Sequence, residues 1–320
     1  MLRYLRCRFL LLALLAVMQS LAMPVGVRAA ETVIAVILPD GPSHLATIHK
    51  SFLKKFAEIT NGRPAPRFYL QRPNDDYMSL RNSARKAVAL HADLILAYGT
   101  SAALAAKAET FQVPVLFADT IEPEAIGLVT TNKRDNQLAT GVRGNAPLQT
   151  LFRLLRDLTS TLKLAVILDG DVVDKKLLSV FKDAAGRRGL DVVLIPTQGR
   201  APAAVMHEVV ASGANGLLFA RAGEKNQAIL DLALEKKLPS ISIIPGMAER
   251  GVLLVMEVSP LEQGELLADM AAQVLDGVFP EHLPVATPRK PELVINLKSA
   301  QQCGIQVPFE ILSQATRLVR

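Results

Sequence analysis

The sequence predicts an α/β protein made of two Rossmann-like lobes, each a parallel sheet covered by helices, joined by a multi-strand hinge. Three observations predict it. Short runs rich in Val, Ile and Leu alternate with segments of helical period. The alternation starts twice, with Ala-Val-Ile-Leu at 35–38 and again at 165–168. A proline-rich tail with Pro280, Pro284, Pro288 and Pro291 belongs to neither half.

Val33 to Leu38 is a continuous apolar run, as in a strand buried on both faces. Pro39 to Pro42 form a turn, and Ser43 is expected to cap a helix with Leu45, Ile48, Phe52, Phe56 and Ile59 on one face. Arg67–Gln71 reads as a strand, Asp76–His91 as a helix and Leu94–Tyr98 as a strand. Gly99-Thr100-Ser101 opens an alanine-rich helix to about Glu109. Val113–Phe117 and a shorter Ile126–Val129 complete the first series of strands.

The chain changes halves around Thr140–Pro147, where Asn145 is expected to cap a helix striped by Leu148, Leu151, Leu154, Leu155 and Leu158. Leu164–Leu168 is the next strand, Asp169-Gly170-Asp171 a turn, and a helix ends near Arg188. Val192–Ile195 is a strand and Ala201–Ser212 a helix. Ala92-Asp93-Leu94 is echoed by Ala214-Asn215-Gly216, and Val113-Pro114-Val115 by Leu238-Pro239-Ser240. Several echoes in one order indicate a two-fold duplication. Pro260–Leu275 is a helix, followed after the prolines by a strand at Leu293–Asn296 and a short helix. The expected lobes are 31–140 with about 259–282, and 141–258 with about 290–320. A tail crossing between lobes makes a hinge, and hinged lobes close on ligands.

Arg3, Arg6 and Arg8 precede the apolar run Phe9–Met18, and Val27-Arg28-Ala29 offers small residues for cleavage. Residues 1–29 therefore read as an export signal, which implies a periplasmic protein; an uncleaved anchor is the alternative. Four of the 36 basic residues lie before residue 30, leaving 32 against 30 acidic residues, so the body has no electrostatic footprint for nucleic acid. Cys7 falls within the signal, and Cys303 alone can form no internal disulfide.

Dinucleotide, P-loop, serine-elbow and zinc-protease motifs are absent. Of the five histidines, His44 alone sits at a strand-to-helix loop, where an ordinary helix-start residue is the favoured reading. No cofactor and no metal site are expected.

Ligands of open α/β sheets bind outside the carboxyl ends of the strands. Gly41 and Ser43 lie there after the first strand, and Gly99, Thr100 and Ser101 after the third. The glycine lets backbone approach a ligand, and the helix start favours an anion such as a carboxylate; the alternative is that a hydroxyl caps its own helix. Asp119, with Thr120, can accept from an ammonium or form a turn, and Asp169 holds the matching place in the second half. Arg221 can pair with an acidic ligand or form an interlobe ion pair, and Glu257 lines either the crevice or the hinge. Paired catalytic acids and bases are not evident, so binding without chemistry is the simpler reading.

Several stretches resemble the ABC-transporter substrate-binding proteins of the type I periplasmic fold, in the branch of tryptophan- and tyrosine-binding proteins. They are Leu94–Ala103, Val113–Asp119, Thr140-Gly141-Val142 with Asn145-Ala146-Pro147, Met247–Gly251, and above all Glu292–Lys298 with Gly304-Ile305. The resemblance spans nearly all of 33–312 and implies two lobes hinged about a small ligand. By position it implies that Thr100 and Ser101 meet a carboxylate and that Asp119 and Thr120 line the cleft. The sequence departs at Pro42-Ser43-His44, where the family often has His-Pro, and at Ala220–Gly223, where Thr-Asp is usual. It also departs at Met256–Pro260, often Tyr-rich in the family. With no Trp and four Tyr, the aromatic walls expected around an aromatic amino acid are thin.

The expectation is thus a non-enzymatic, monomeric periplasmic protein that closes on a small polar or anionic, amino-acid-like solute. Its partner would be an ABC permease or, on the same fold, a membrane sensor.

Overall fold

In the computed structural model, residues 31–130, 138–145, 147–168, 175–289 and 291–320 are described. Residues 1–29, expected to be an export signal and to include Cys7, lie outside the described residues, as do Asp169, Gly170 and Asp171.

The first sheet has the order β2-β1-β3-β4-β5 and is parallel throughout. Its strands are β1 (Val33–Ile37), β2 (Arg67–Gln71), β3 (Leu94–Tyr98), β4 (Val115–Thr120) and β5 (Ala139–Arg143). Side chains alternate between its faces. Ile34 and Val36 meet α1 (Ser43–Ile59), while Ala35 and Ile37 meet α2 (Tyr77–Ala89) and α3 (Thr100–Glu109). Cover on both faces explains why β3 is apolar at every position and wholly buried.

The second sheet runs β12-β11-β10-β9-β8-β6-β7. It contains β6 (Lys163–Leu168), β7 (Asp191–Pro196), β8 (Gly216–Phe219), β9 (Ser240–Ser242), β10 (Leu254–Glu257), β11 (Glu292–Asn296) and β12 (Arg317–Val319). The pairing of β10 with β11 is antiparallel, and the other pairings are parallel. On one face lie α4 (Leu148–Leu158) and α5 (Lys175–Gly186); on the other lie α6 (Pro202–Ala211) and α7 (Asn226–Glu235). The orders 2-1-3-4-5 and 7-6-8-9-10 are the same, so the duplication seen in the letters is also a duplication of topology. Each sheet reverses direction beside its first strand, which opens a crevice at the carboxyl ends.

The chain passes between the sheets three times: from β5 to α4, from β10 to α8 (Pro260–Leu275), and from the 3-10 turn Pro280–His282 to β11. Helix α8 follows a strand of the second sheet but packs on α1, beneath the first. A Cβ on Gly264 would lie 2.4 Å from the Ile48 carbonyl oxygen, so this crossing requires glycine. Arg143 N–H donates to the Ala286 carbonyl and Ala286 N–H to that of Gly141, tying the returning chain to β5. The tail ends in α9 (Leu297–Gln302), α10 (Phe309–Leu312) and β12.

Three local expectations are corrected. Residues 126–129 form a turn, not a strand: Ile126 and Leu128 are buried, and their N–H groups donate back to Glu122 and Pro123. Ser43 does not cap α1; Pro42 holds the cap position with no side-chain bond, and Ser43 is exposed. Asn145 does not cap α4, because its amide is taken by Glu122, accepting from that residue's N–H at 3.0 Å and donating to its carboxylate at 2.9 Å.

Candidate functional site

The carboxyl ends of β1, β3, β4, β6, β8 and β9 converge on one cavity of about 90 Å³, and a wider pocket of about 580 Å³ shares Pro42, His44, Asp75, Ala222, Ile244 and Pro245 with it. Roughly 10–15 Å³ is enough for one water, so the inner space holds a small solute or a cluster of waters.

Its polar end is the start of α3. Gly99 adopts φ +88°, which glycine tolerates without strain, and its N–H donates to the Ala118 carbonyl at 2.9 Å. The peptide N–H groups of Thr100, Ser101 and Ala102 stand in the first turn and so have no intrahelical acceptor. All three residues line the cavity. Neither hydroxyl caps the helix. Thr100 Oγ1 instead accepts the Ile121 N–H at 3.1 Å, which fixes the loop after β4. Ser101 Oγ has no partner among the described residues and is the side-chain donor left over.

Opposite stands Asp119, a non-glycine residue at φ +56°. Three contacts hold it there. Its N–H donates to Gln263 Oε1 at 3.0 Å, and its carboxylate accepts from His44 Nε2 at 2.9 Å. Gly144 lies so close that a Cβ would come within 2.4 Å of the Asp119 Cα. Burial works against a charge on His44, but the Asp119 carboxylate, its hydrogen bond and the field of Glu257 outweigh it and raise the imidazole pKa. Gln263 is fully buried; its Nε2 and Thr120 Oγ1 are buried without partners.

Arg221, after β8, forms an ion pair with Asp75, in the loop after β2. The pair joins the two sheets across the cavity, and Asn226 Nδ2 anchors the Arg221 carbonyl at 2.8 Å. The remaining wall is largely aliphatic, with Leu104 and Ile121 from one half and Leu168, Leu177 and Ile243 from the other.

The structure thus gathers Gly99, Thr100, Ser101, Asp119 and Arg221 around one space. Gly41 and Ser43 line only the wider pocket. Thr120, at the end of β4, is fully buried and does not face the cavity. Glu257 stands behind the wall: it accepts the Gly246 N–H at 2.8 Å and pairs with Arg317 at 3.2 Å, supporting the loop after β9. Burial, outweighing Gly246 and Arg317, raises its pKa. Asp169 lies outside the described residues.

Sequence reasoning missed Asp75, Gln263 and Gly144 and gave His44 too small a part. Asp75 obeys the same strand-end rule as the others. Gln263 and Gly144 carry no such signal, because they act through residues distant in sequence. Among the described residues no cluster could hold a metal ion, and no helix is long and apolar enough to cross a membrane.

Comparison with known proteins gives the family and the fold. Residues 57–319 match the family model described as ABC transporter substrate binding protein. A tyrosine-binding protein of Clostridioides difficile is 24% identical over 244 residues, covering 74% of this chain and 70% of that protein. An ABC domain from Streptococcus pneumonia, solved in complex with L-Trp, superposes with a TM-score of 0.78 at 22% identity, over 91% of this chain and 100% of that one. A conserved domain protein from Vibrio cholerae gives 0.77 at 20% identity, over 90% and 99%. These likenesses establish the type I periplasmic binding fold. With most of its length matched by the family model, the chain belongs to the ABC transporter substrate-binding proteins, which bind solutes and do not transform them.

Proposed function

We propose that this protein is the exported, periplasmic solute receptor of an ABC importer, closing two lobes on one small anionic or amino-acid-like molecule and presenting it to a membrane permease. The observation that carries this reading is the cavity itself. It is walled by both sheets and spanned by the Arg221–Asp75 pair, and unmatched N–H and O–H donors stand at its α3 end. Such donors, at the positive end of a helix, suit a carboxylate. Tyrosine and tryptophan ligands of the relatives support the amino-acid-like range.

Export is supported by the basic and apolar segment before residue 30. The lobes are proposed to meet near residue 140 and again about α8, and three crossings supply the hinge. A monomer suffices, since the cavity is complete within one chain.

A thermal-shift screen of purified protein against amino acids, small acids, nucleosides and sugars tests the reading. Solute at about 100 times its dissociation constant stabilises by ~2.7 kcal/mol. One stabilising class is expected; a folded protein that answers to none contradicts it.

A further inference from the structure

We infer that Gln263 is a positioning residue for the solute cavity: it does not line the cavity, but fixes Asp119 and, through it, the pairing of Asp119 with His44. This rests on the cleft reading above and adds a residue which that reading does not use.

The pairing of β4 with β5 shifts between Phe117↔Gly141 and Thr120↔Arg143, so Ala118 and Asp119 stand opposite Val142 alone. Such a bulge bends the strand, re-aims a side chain and leaves the extra residue out of the ladder. Asp119 sits in it at φ +56°, a conformation that a residue with a side chain keeps only where its surroundings hold it. Its N–H is taken by a side chain, Gln263 Oε1 at 3.0 Å. From the first crossing Gly144 closes in, where a Cβ would lie 2.4 Å from Asp119 Cα and 2.7 Å from its Oδ1.

Gln263 is itself fixed by its helix. The Ser51 hydroxyl donates to the Leu261 carbonyl at 2.8 Å, and Gly264 lies against the Ile48 and Phe52 backbone, so this end of α8 is locked on α1. His44 stands at the start of α1. A ring therefore closes: α1 holds α8, Gln263 of α8 holds the Asp119 N–H, and the Asp119 carboxylate accepts from His44 Nε2 at 2.9 Å. His44 and Asp119 line the cavity, and Gln263 does not.

The chemistry of Gln263 supports the same role. The side chain is fully buried, and its Nε2 has no partner among the described residues. A buried donor left unmet destabilises, and an apolar side chain of similar length would fill the space without it. What an apolar side chain lacks is the acceptor that Asp119 uses.

NMR titration of the histidine rings in purified, ligand-free protein tests this without a solute, with His44 assigned by its loss in His44→Asn. Gln263→Met keeps the length and removes the acceptor. Leu267→Val trims one methylene from the buried face of the same helix and controls for general loosening. Burial works against a charge on His44, but Asp119, its hydrogen bond and Glu257 hold the wild-type pKa above 6.5. In Gln263→Met it is expected to fall to 6.5 or below, because burial then outweighs a displaced carboxylate; in Leu267→Val it is expected to keep the wild-type value. An unchanged His44 in Gln263→Met, or an equal fall in both variants, overturns the inference. In calorimetric titrations with L-tyrosine and L-tryptophan, Gln263→Met is expected to lose about tenfold in affinity. Equal affinity in wild type and Gln263→Met overturns the inference as well. If neither amino acid binds wild type, that failure falls on the amino-acid-like range of the cleft reading, and the His44 titration alone decides the inference.

Discussion

Arg221 and Asp75 join the two halves of the molecule: one follows β8 in the second sheet, the other follows β2 in the first, and their side chains pair over the cavity. The pair is partly exposed, at 22% and 29%. A double-mutant cycle with Arg221→Ala and Asp75→Asn should therefore give a coupling of only ~0.2–1 kcal/mol. Each single variant should widen the scattering radius of ligand-free protein by favouring the open form. A coupling of zero with an unchanged radius contradicts a bridging role.

The α1–α8 crossing has no room for a side chain at Gly264. Gly264→Val should cost about 1–3 kcal/mol or more, read as a lowered midpoint in urea. Because α8 carries Gln263, which holds Asp119, solute affinity should fall as well. Wild-type stability in this variant would show that the contact relaxes freely.

His44 and His49 set opposite limbs of the stability profile. The raised pKa of His44 supplies stability present below 6.5 and lost as pH rises through the shifted value. Burial, aided by Arg72, lowers His49 to about 4. Its contribution is present above 6.5 and lost as pH falls toward 4, by up to about 3 kcal/mol. Urea unfolding across this range should show a maximum near neutrality. His49→Gln should flatten the acid limb and Asp119→Asn the alkaline one. Superposable acid limbs for wild type and His49→Gln contradict the assignment.

Most of the strand–helix alternation was legible because β1, β3 and β6 are buried on both faces and so read as unbroken apolar runs. The duplication was legible for the same reason. Residues 126–129 misled because two buried apolar side chains in a turn look like a short strand. The short β12 and the irregular β5 lack such runs. The strand-end rule picked out Gly99–Ser101, Asp119 and Arg221, which line one cavity. Thr120 is buried at the end of β4 and does not line the cavity. Glu257 does not line the cavity either, being held by Gly246 and Arg317. The Asp119–Gln263 contact spans 144 residues of sequence and leaves no local trace.

The most direct measurement is a calorimetric titration of wild-type protein and Ser101→Ala with the solute that the thermal screen selects. Binding is predicted to be one-to-one and weakened by ~1.5–3 kcal/mol in the variant, since a hydrogen bond to a charged group is lost while the fold is kept. Equal affinity in the two proteins would contradict the placement of the solute at the start of α3.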